Sequence, residues 1–275
     1  MSKTILITGA TDGLGKEVAR RLAAQDWKVL LHGRNPEKGQ SVLSELQKAT
    51  GNTSLQYFNA DLSSLADVLR LAEEVQGSQE RLDILVNNAG IGPRTPDSKR
   101  SLSVDGVELF FAVNYLAGYL LTRELLPLIL HSTPARIINV SSIAQAPVNF
   151  ADVMLEQDYS DGLAYRQSKL AQILHANDLA EQHAASELTV NSLHPATLMS
   201  TKMVQDSTAL PASMTTVDDG AEALEYLITA AALENTTGCY FDEKEMATPD
   251  AQANDPDARK QLRALSESLI TAALK

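Results

Sequence analysis

The 275-residue sequence predicts an α/β fold, a doubly wound, three-layer αβα arrangement on a mostly parallel seven-stranded sheet. Three observations carry that expectation. Short apolar runs alternate with longer amphipathic stretches along the whole chain, as in repeated strand–helix units. The apolar runs are mostly continuous in Val, Ile and Leu rather than cleanly alternating, which suits strands buried on both faces. The first of them opens at once into a glycine-rich turn and a helix, an arrangement that suits a bound anion.

In chain order the strands are expected at Ile5–Thr8, Val29–His32, Leu55–Asn59, Ile84–Asn87, Arg136–Val140, Val190–His194 and Cys239–Phe241. Helical periodicity falls between them, over 14–25, 38–49, 65–77, 104–131, 164–185 and 219–232. A last helix over 256–272 starts at Asp255-Pro256, with proline in its first turn. Two irregular stretches, 143–163 and 197–216, are the candidate substrate walls, because such sheets bind ligands beyond the carboxyl ends of their strands. No linker composition and no internal repeat divides the chain, so 1–275 reads as one domain.

A net charge of −12 argues against nucleic acid and anionic membrane as partners, since both require basic patches. Cys239 is the single cysteine, which rules out an intrachain disulfide, suits a reducing compartment and reads as a small hydrophobe in a strand. The N-terminus enters a strand directly without a signal peptide, and no apolar run approaches the ~20 residues of a span. The expectation is a cytoplasmic protein without a membrane partner. No His/Cys/Asp cluster has metal-ligand spacing, so no metal is expected.

The turn after the first strand reads Thr8-Gly9-Ala10-Thr11-Asp12-Gly13-Leu14-Gly15. Its glycines let the backbone turn tightly and approach a pyrophosphate seated at the helix N-terminus, as in a Rossmann-type fold. The second strand ends in His32-Gly33-Arg34-Asn35. An acid here would accept from a ribose 2′-hydroxyl, whereas Arg34 suits a 2′-phosphate and can stack on adenine. NADP(H) is therefore expected in preference to NAD(H), with Lys38 adding to the field or simply solvated. Further on, Tyr165 and Lys169 stand four residues apart, on one helix face. An ammonium near a phenol favours the ionised form and makes a better proton shuttle at neutral pH.

Taken together these elements resemble the short-chain dehydrogenase/reductase family nearly end to end. The resemblance implies an adenine contact at Asp61-Leu62, after the third strand. It makes Asn87-Asn88-Ala89-Gly90 the motif that supports the sheet and lines the cofactor cleft, with Asn88, Ala89 and Gly90 at the cofactor. It implies a catalytic set of Asn114, Ser142, Tyr165 and Lys169, with Ser142 favoured over the adjacent Ser141. Pro195, Leu198 and Thr201 correspond to the segment that closes on the nicotinamide, although Ala196 stands where the family has glycine. The insert between Ser142 and Tyr165, with Phe150 and Tyr159, the helix Gly162–Ala171 and the Thr237–Phe241 signature resemble the retinol-dehydrogenase-like branch, which includes relatives of WW-domain oxidoreductase.

The resemblance implies hydride transfer between NADP(H) and a small-molecule carbonyl or alcohol. Tyr165 would be the proton donor, Ser142 the carbonyl anchor and Lys169 the group that lowers the tyrosine pKa and binds the ribose. Asn114 would hold a water leading to solvent. Alternatives are a cofactor-binding sensor or interaction protein on the same fold, and a C=C reductase of the protochlorophyllide-reductase type. Met154, Met199, Met203 and Met214 fall in the irregular stretches and suit a hydrophobic substrate, though core or loop packing explains them equally well. His194 reads as structural. Helices 104–131 and 164–185 offer surfaces for a homodimer or homotetramer, although burial in the core accounts for their apolar content as well.

Overall fold

A computed structural model describes residues 2–95 and 98–275. Eight strands form one sheet in the order β3-β2-β1-β4-β5-β6-β7-β8. They are β1 (Thr4–Ile7), β2 (Lys28–Gly33), β3 (Leu55–Asn59), β4 (Ile84–Asn87), β5 (Ala135–Val140), β6 (Leu188–His194), β7 (Tyr240–Asp242) and β8 (Glu245–Ala247). All neighbours pair in parallel except β7 and β8. The chain order reverses between β1 and β4, which leaves a crevice at their carboxyl ends where a ligand can enter.

Both faces of the central sheet are apolar, which is why β1 and β4 and most of β2 read as hydrophobic runs. Ile5, Ile7, Val29, Leu31, Ile84 and Val86 point to one side. They meet α1 (Gly13–Ala23), α2 (Pro36–Thr50) and α7 (Val217–Thr229). Leu6, Leu30, Leu85 and Ile137 point to the other. They meet α3 (Leu65–Ser78), α4 (Ala117–Leu130) and α5 (Asp161–Ala180). Each fully buried Leu or Ile stabilises the fold by ~1.5–3 kcal/mol.

The seven-strand expectation is corrected by β8, a three-residue edge strand. Its hairpin turn is Glu243-Lys244, with Glu243 at φ +55°, and it lacks the glycine or asparagine that marks such turns in sequence. The long fourth helix begins near 109 rather than 104. Buried Glu108 accepts from the amides of Phe110 (3.1 Å) and Phe111 (2.8 Å), satisfying donors that the helix leaves free. A π-helical turn over Phe111–Leu116 then precedes α4. Helix α5 starts three residues earlier than expected, at Asp161, because Ser160 caps it through Leu163 N. It ends at Ala180, short of the expected 185.

Between 197 and 216 the chain forms the short helix α6 (Lys202–Gln205) and is otherwise irregular. The last helix, α8 (Pro256–Ala273), packs across α5. Tyr115 bonds Ser266 at 2.7 Å, Tyr119 donates to Glu267 at 2.6 Å, and Arg259 pairs with Glu181. The final helix thus covers part of α5 within the chain. No helix among the described residues is long and apolar enough to cross a membrane.

Candidate active site

The glycine loop is shaped by contacts from three strands. Gly9 (φ +67°) and Gly13 (φ +46°) hold left-handed backbone that other residues adopt at a cost. Gly15 is required by space: a Cβ there would lie 2.4 Å from Gly9 O and 2.6 Å from Asn88 Nδ2. Asp12 caps α1 by accepting from Gly13 N. Thr8, expected as the end of β1, lies in the turn, and its hydroxyl accepts from Asn88 N (2.9 Å) and Ala89 N (3.0 Å). Asn88 in turn donates its amide to Thr8 O at 2.7 Å, so its side chain shapes the loop from within. His32 completes the bracing: Nδ1 accepts from Gly9 N and Nε2 donates to Ala60 O. Burial holds His32 neutral, with a pKa near 4, which keeps that tautomer in place. The sequence alone does not distinguish His32 from any strand histidine, because its role depends on a loop 23 residues away.

At the end of β2, Arg34 is exposed on the cleft wall and forms no salt bridge among the described residues. Lys38 pairs with Asp12, and this bond, more than any other cause, holds the Asp12 carboxyl below its usual range. Tyr57 braces the turn, its phenol lying 2.8 Å from Gly33 O and 2.9 Å from Asn35 O. Asp61 and Leu62 line the same end of the cleft, where Asp61 accepts from Ser63.

The four residues of the expected catalytic set converge at the other end. Ser141 spends its hydroxyl on Lys169 O (2.7 Å), deep in the interface between β5 and α5. Ser142 faces the Tyr165 phenol instead and pulls its pKa down, against a larger upward push from burial. The net direction for Tyr165 is upward, contrary to the shift expected from a neighbouring ammonium. Lys169 Nζ lies 5.6 Å from the phenol ring centroid and bonds Val140 O (2.9 Å) and Gln172 Oε1 (3.1 Å). Burial lowers the Lys169 pKa to about 7, drawing the ammonium toward its neutral form. Asn114 sits in the π-helical turn, its Oδ1 accepting from Ile91 N (2.7 Å) and its Nδ2 donating to Ile91 O and Ser168 Oγ. Its amide is therefore committed to holding the loop after β4 against α5.

Pro195, Ala196, Leu198 and Thr201 line the cleft beyond β6. The left-handed position in this loop is Leu198 (φ +49°), and Ala196 has no positive φ, so its side chain fits without strain. Thr201 comes close to Gly13, whose added Cβ would lie 3.2 Å from the threonine methyl. The loop is zipped to residues 214–215 by Met214 N to Leu198 O and Ser200 N to Thr215 O. His194 bonds Thr197, consistent with a structural role. Of the four methionines, Met199 and Met203 line the cleft, Met154 packs on the core and Met214 is exposed.

The cleft encloses about 900 Å³ and runs from Arg34, past the glycine loop, to Ser142 and Tyr165. A short chain dehydrogenase family model matches residues 3–212. This chain belongs to the short-chain dehydrogenase/reductase family. Within it the chain falls in the retinol-dehydrogenase-like branch. It is 34% identical to retinol dehydrogenase 11 of Homo sapiens over 98% of its own length and 86% of that protein's. It is 35% identical to retinol dehydrogenase 12 of Bos taurus, over 92% and 82% respectively. Among solved structures, an uncharacterized protein from Mycobacterium paratuberculosis superposes with a TM-score of 0.79 at 28% identity, covering 98% of this chain and 93% of that one. A short chain dehydrogenase from Escherichia coli complexed with NADPH superposes with a TM-score of 0.72 at 29% identity, covering 88% and 97%. Family membership makes the protein an oxidoreductase with a nicotinamide cofactor. The open glycine turn, the exposed Arg34 on the cleft wall and the buried Lys169, which has no carboxylate partner among the described residues, fit such a group.

Proposed function

We propose that the protein is an NADP(H)-dependent oxidoreductase that interconverts a carbonyl and its alcohol, with a hydrophobic aldehyde or ketone as substrate. The observation that carries the reading is the convergence of Ser142 and Tyr165 on one cleft wall, with Lys169 buried one helical turn behind. Arg34, at the end of β2 and in no ion pair among the described residues, supports the 2′-phosphate form of the cofactor. Ile91, Leu109, Val113, Ile143, Met203 and Leu210 line the cleft and support an apolar substrate.

When bound, the nicotinamide supplies or accepts the hydride. The Ser142 hydroxyl donates a hydrogen bond to the substrate oxygen and fixes its position against Tyr165. Burial keeps the Tyr165 phenol protonated, so its proton is in place for transfer to that oxygen in the reducing direction. Lys169, drawn toward neutrality by burial, regains charge beside an anionic ligand and then favours the tyrosinate left behind. Asn114 keeps Ile91 and Ser168 in register, which holds α5 and its two reactive side chains at the cleft.

The test is NADPH oxidation with a panel of aliphatic and aromatic aldehydes set against small polar ketones. Tyr165→Phe is expected to lower turnover by ~10²–10⁴-fold, the usual weight of a general acid, with NADPH still bound more tightly than NADH by fluorescence titration. Near-normal turnover in this variant, or tighter NADH binding, refutes the corresponding half of the proposal.

A further inference from the structure

The short chain dehydrogenase match ends at residue 212, yet the chain beyond it reaches back to the reactive serine. Tyr240 lies in β7, paired opposite Ser192 of β6 and 4% exposed. Its phenol donates to the carbonyl oxygen of Ser142 at 3.2 Å. The same oxygen accepts from Gln145 Nε2 at 3.0 Å, and Gln145 Oε1 accepts from Asp250 N at 2.8 Å. The next turn repeats the pattern, since Gln252 accepts from Val148 N (2.6 Å) and donates to Val148 O (3.2 Å). Asn177 of α5 then donates to Ala253 O at 3.1 Å, which ties the same segment to the helix of Tyr165.

These bonds fall where the sheet stops supporting the chain. Strand β5 ends at Val140, and Ser141 N to Leu193 O carries the pairing one residue further. The Ser142 carbonyl is held by two side chains instead. A buried carbonyl stripped of its donors costs ~1–3 kcal/mol, so the pair fixes the peptide plane after Ser142. That plane sets the direction of the Ser142 side chain, whose Oγ also accepts from Ala144 N at 3.1 Å. Burial raises the Tyr240 phenol above its ordinary pKa, so it remains a donor throughout the neutral range.

We propose that Tyr240, with Gln145, is a positioning residue for Ser142, and that the segment from β7 to Ala253 acts as a clamp on the reactive serine. The catalytic part of this proposal rests on the carbonyl-binding role given to Ser142 above. Tyr240→Phe keeps the ring and removes only the donor. Hydrogen–deuterium exchange on the cofactor-free variant is expected to rise several-fold across 141–148 while the glycine loop stays unchanged. Unchanged exchange across 141–148 overturns the clamp, whether or not a substrate is in hand. In turnover, the variant is expected to lose about tenfold in kcat, the equivalent of one hydrogen bond, with NADPH affinity unaltered. Placed on a Ser142→Ala background, the same change is expected to cost nothing more. A full additional loss there, or an unaltered kcat in the single variant, overturns the positioning role. Gln145→Ala provides a second variant expected to move both readouts in the same direction. Absence of any carbonyl-dependent NADPH oxidation in the unaltered protein would overturn the functional reading above, and the exchange measurement would still decide the clamp.

Discussion

Lys169 is an ammonium in a place that disfavours charge. Its partners are the Val140 carbonyl and the Gln172 amide oxygen, and burial draws its pKa from 10.5 to about 7. Between those values the unfolded chain binds a proton that the folded chain has released. Stability therefore rises as pH climbs from about 7 toward 10, and the penalty is complete below the folded value. The melting temperature of the cofactor-free protein is expected to increase over that range, with Lys169→Met flattening the increase; parallel curves for the two proteins would exclude Lys169 as its source. The four-residue spacing of Tyr165 and Lys169 was legible from the sequence. The opposing push of burial on both groups was not, because it depends on packing between β5 and α5. The choice between Ser141 and Ser142 became a matter of geometry in the same way, once the Ser141 hydroxyl was seen bonded to Lys169 O.

The turn from β2 into α2 shows how a single element holds Arg34, the proposed cofactor residue, in place. Gly39 lies against Tyr57 so closely that an added Cβ would fall 1.9 Å from the phenol carbon. The ring is thereby seated over α2, with its hydroxyl on Gly33 O and Asn35 O, either side of Arg34. Gly39→Ala is expected to destabilise by ~1–3 kcal/mol through overpacking, outweighing a helix-propensity gain of about 1 kcal/mol. NADPH affinity should fall with it as Tyr57 is displaced. A higher melting temperature with unchanged affinity would show that the ring moves aside freely. Most of the seven expected strands were readable because they are apolar runs buried on both faces, as β1 and β4 are throughout. Strand β8 (Glu245–Ala247) carries no such run, and Glu108 as the start of the fourth helix was hidden because a buried carboxylate reads in sequence as a surface residue.

Across the whole molecule, charge and packing are unevenly distributed. The chain carries −12 overall, yet among the described residues Arg34, Lys38, Arg94 and Lys202 line the cleft against Asp12 and Asp61. This local excess of cations draws a polyphosphate cofactor toward a protein whose remaining surface repels it. Helix α8 completes the apolar layer by covering α5, and its removal would expose that face. Deleting 256–275 is expected to yield a chain that self-associates or melts well below the full protein, as read by light scattering and calorimetry. A truncated chain with unchanged mass and melting temperature would mean that α8 is dispensable.

The bond from Tyr240 to Ser142 spans 98 residues, and it also orders events in time. During synthesis, β1 to β4 and the glycine loop leave the ribosome well before β7. Local pairings close first, and those of long sequence separation wait for the chain that completes them. A growing polypeptide can thus shape its glycine loop early, whereas the proposed clamp on Ser142 closes only when the last strands arrive.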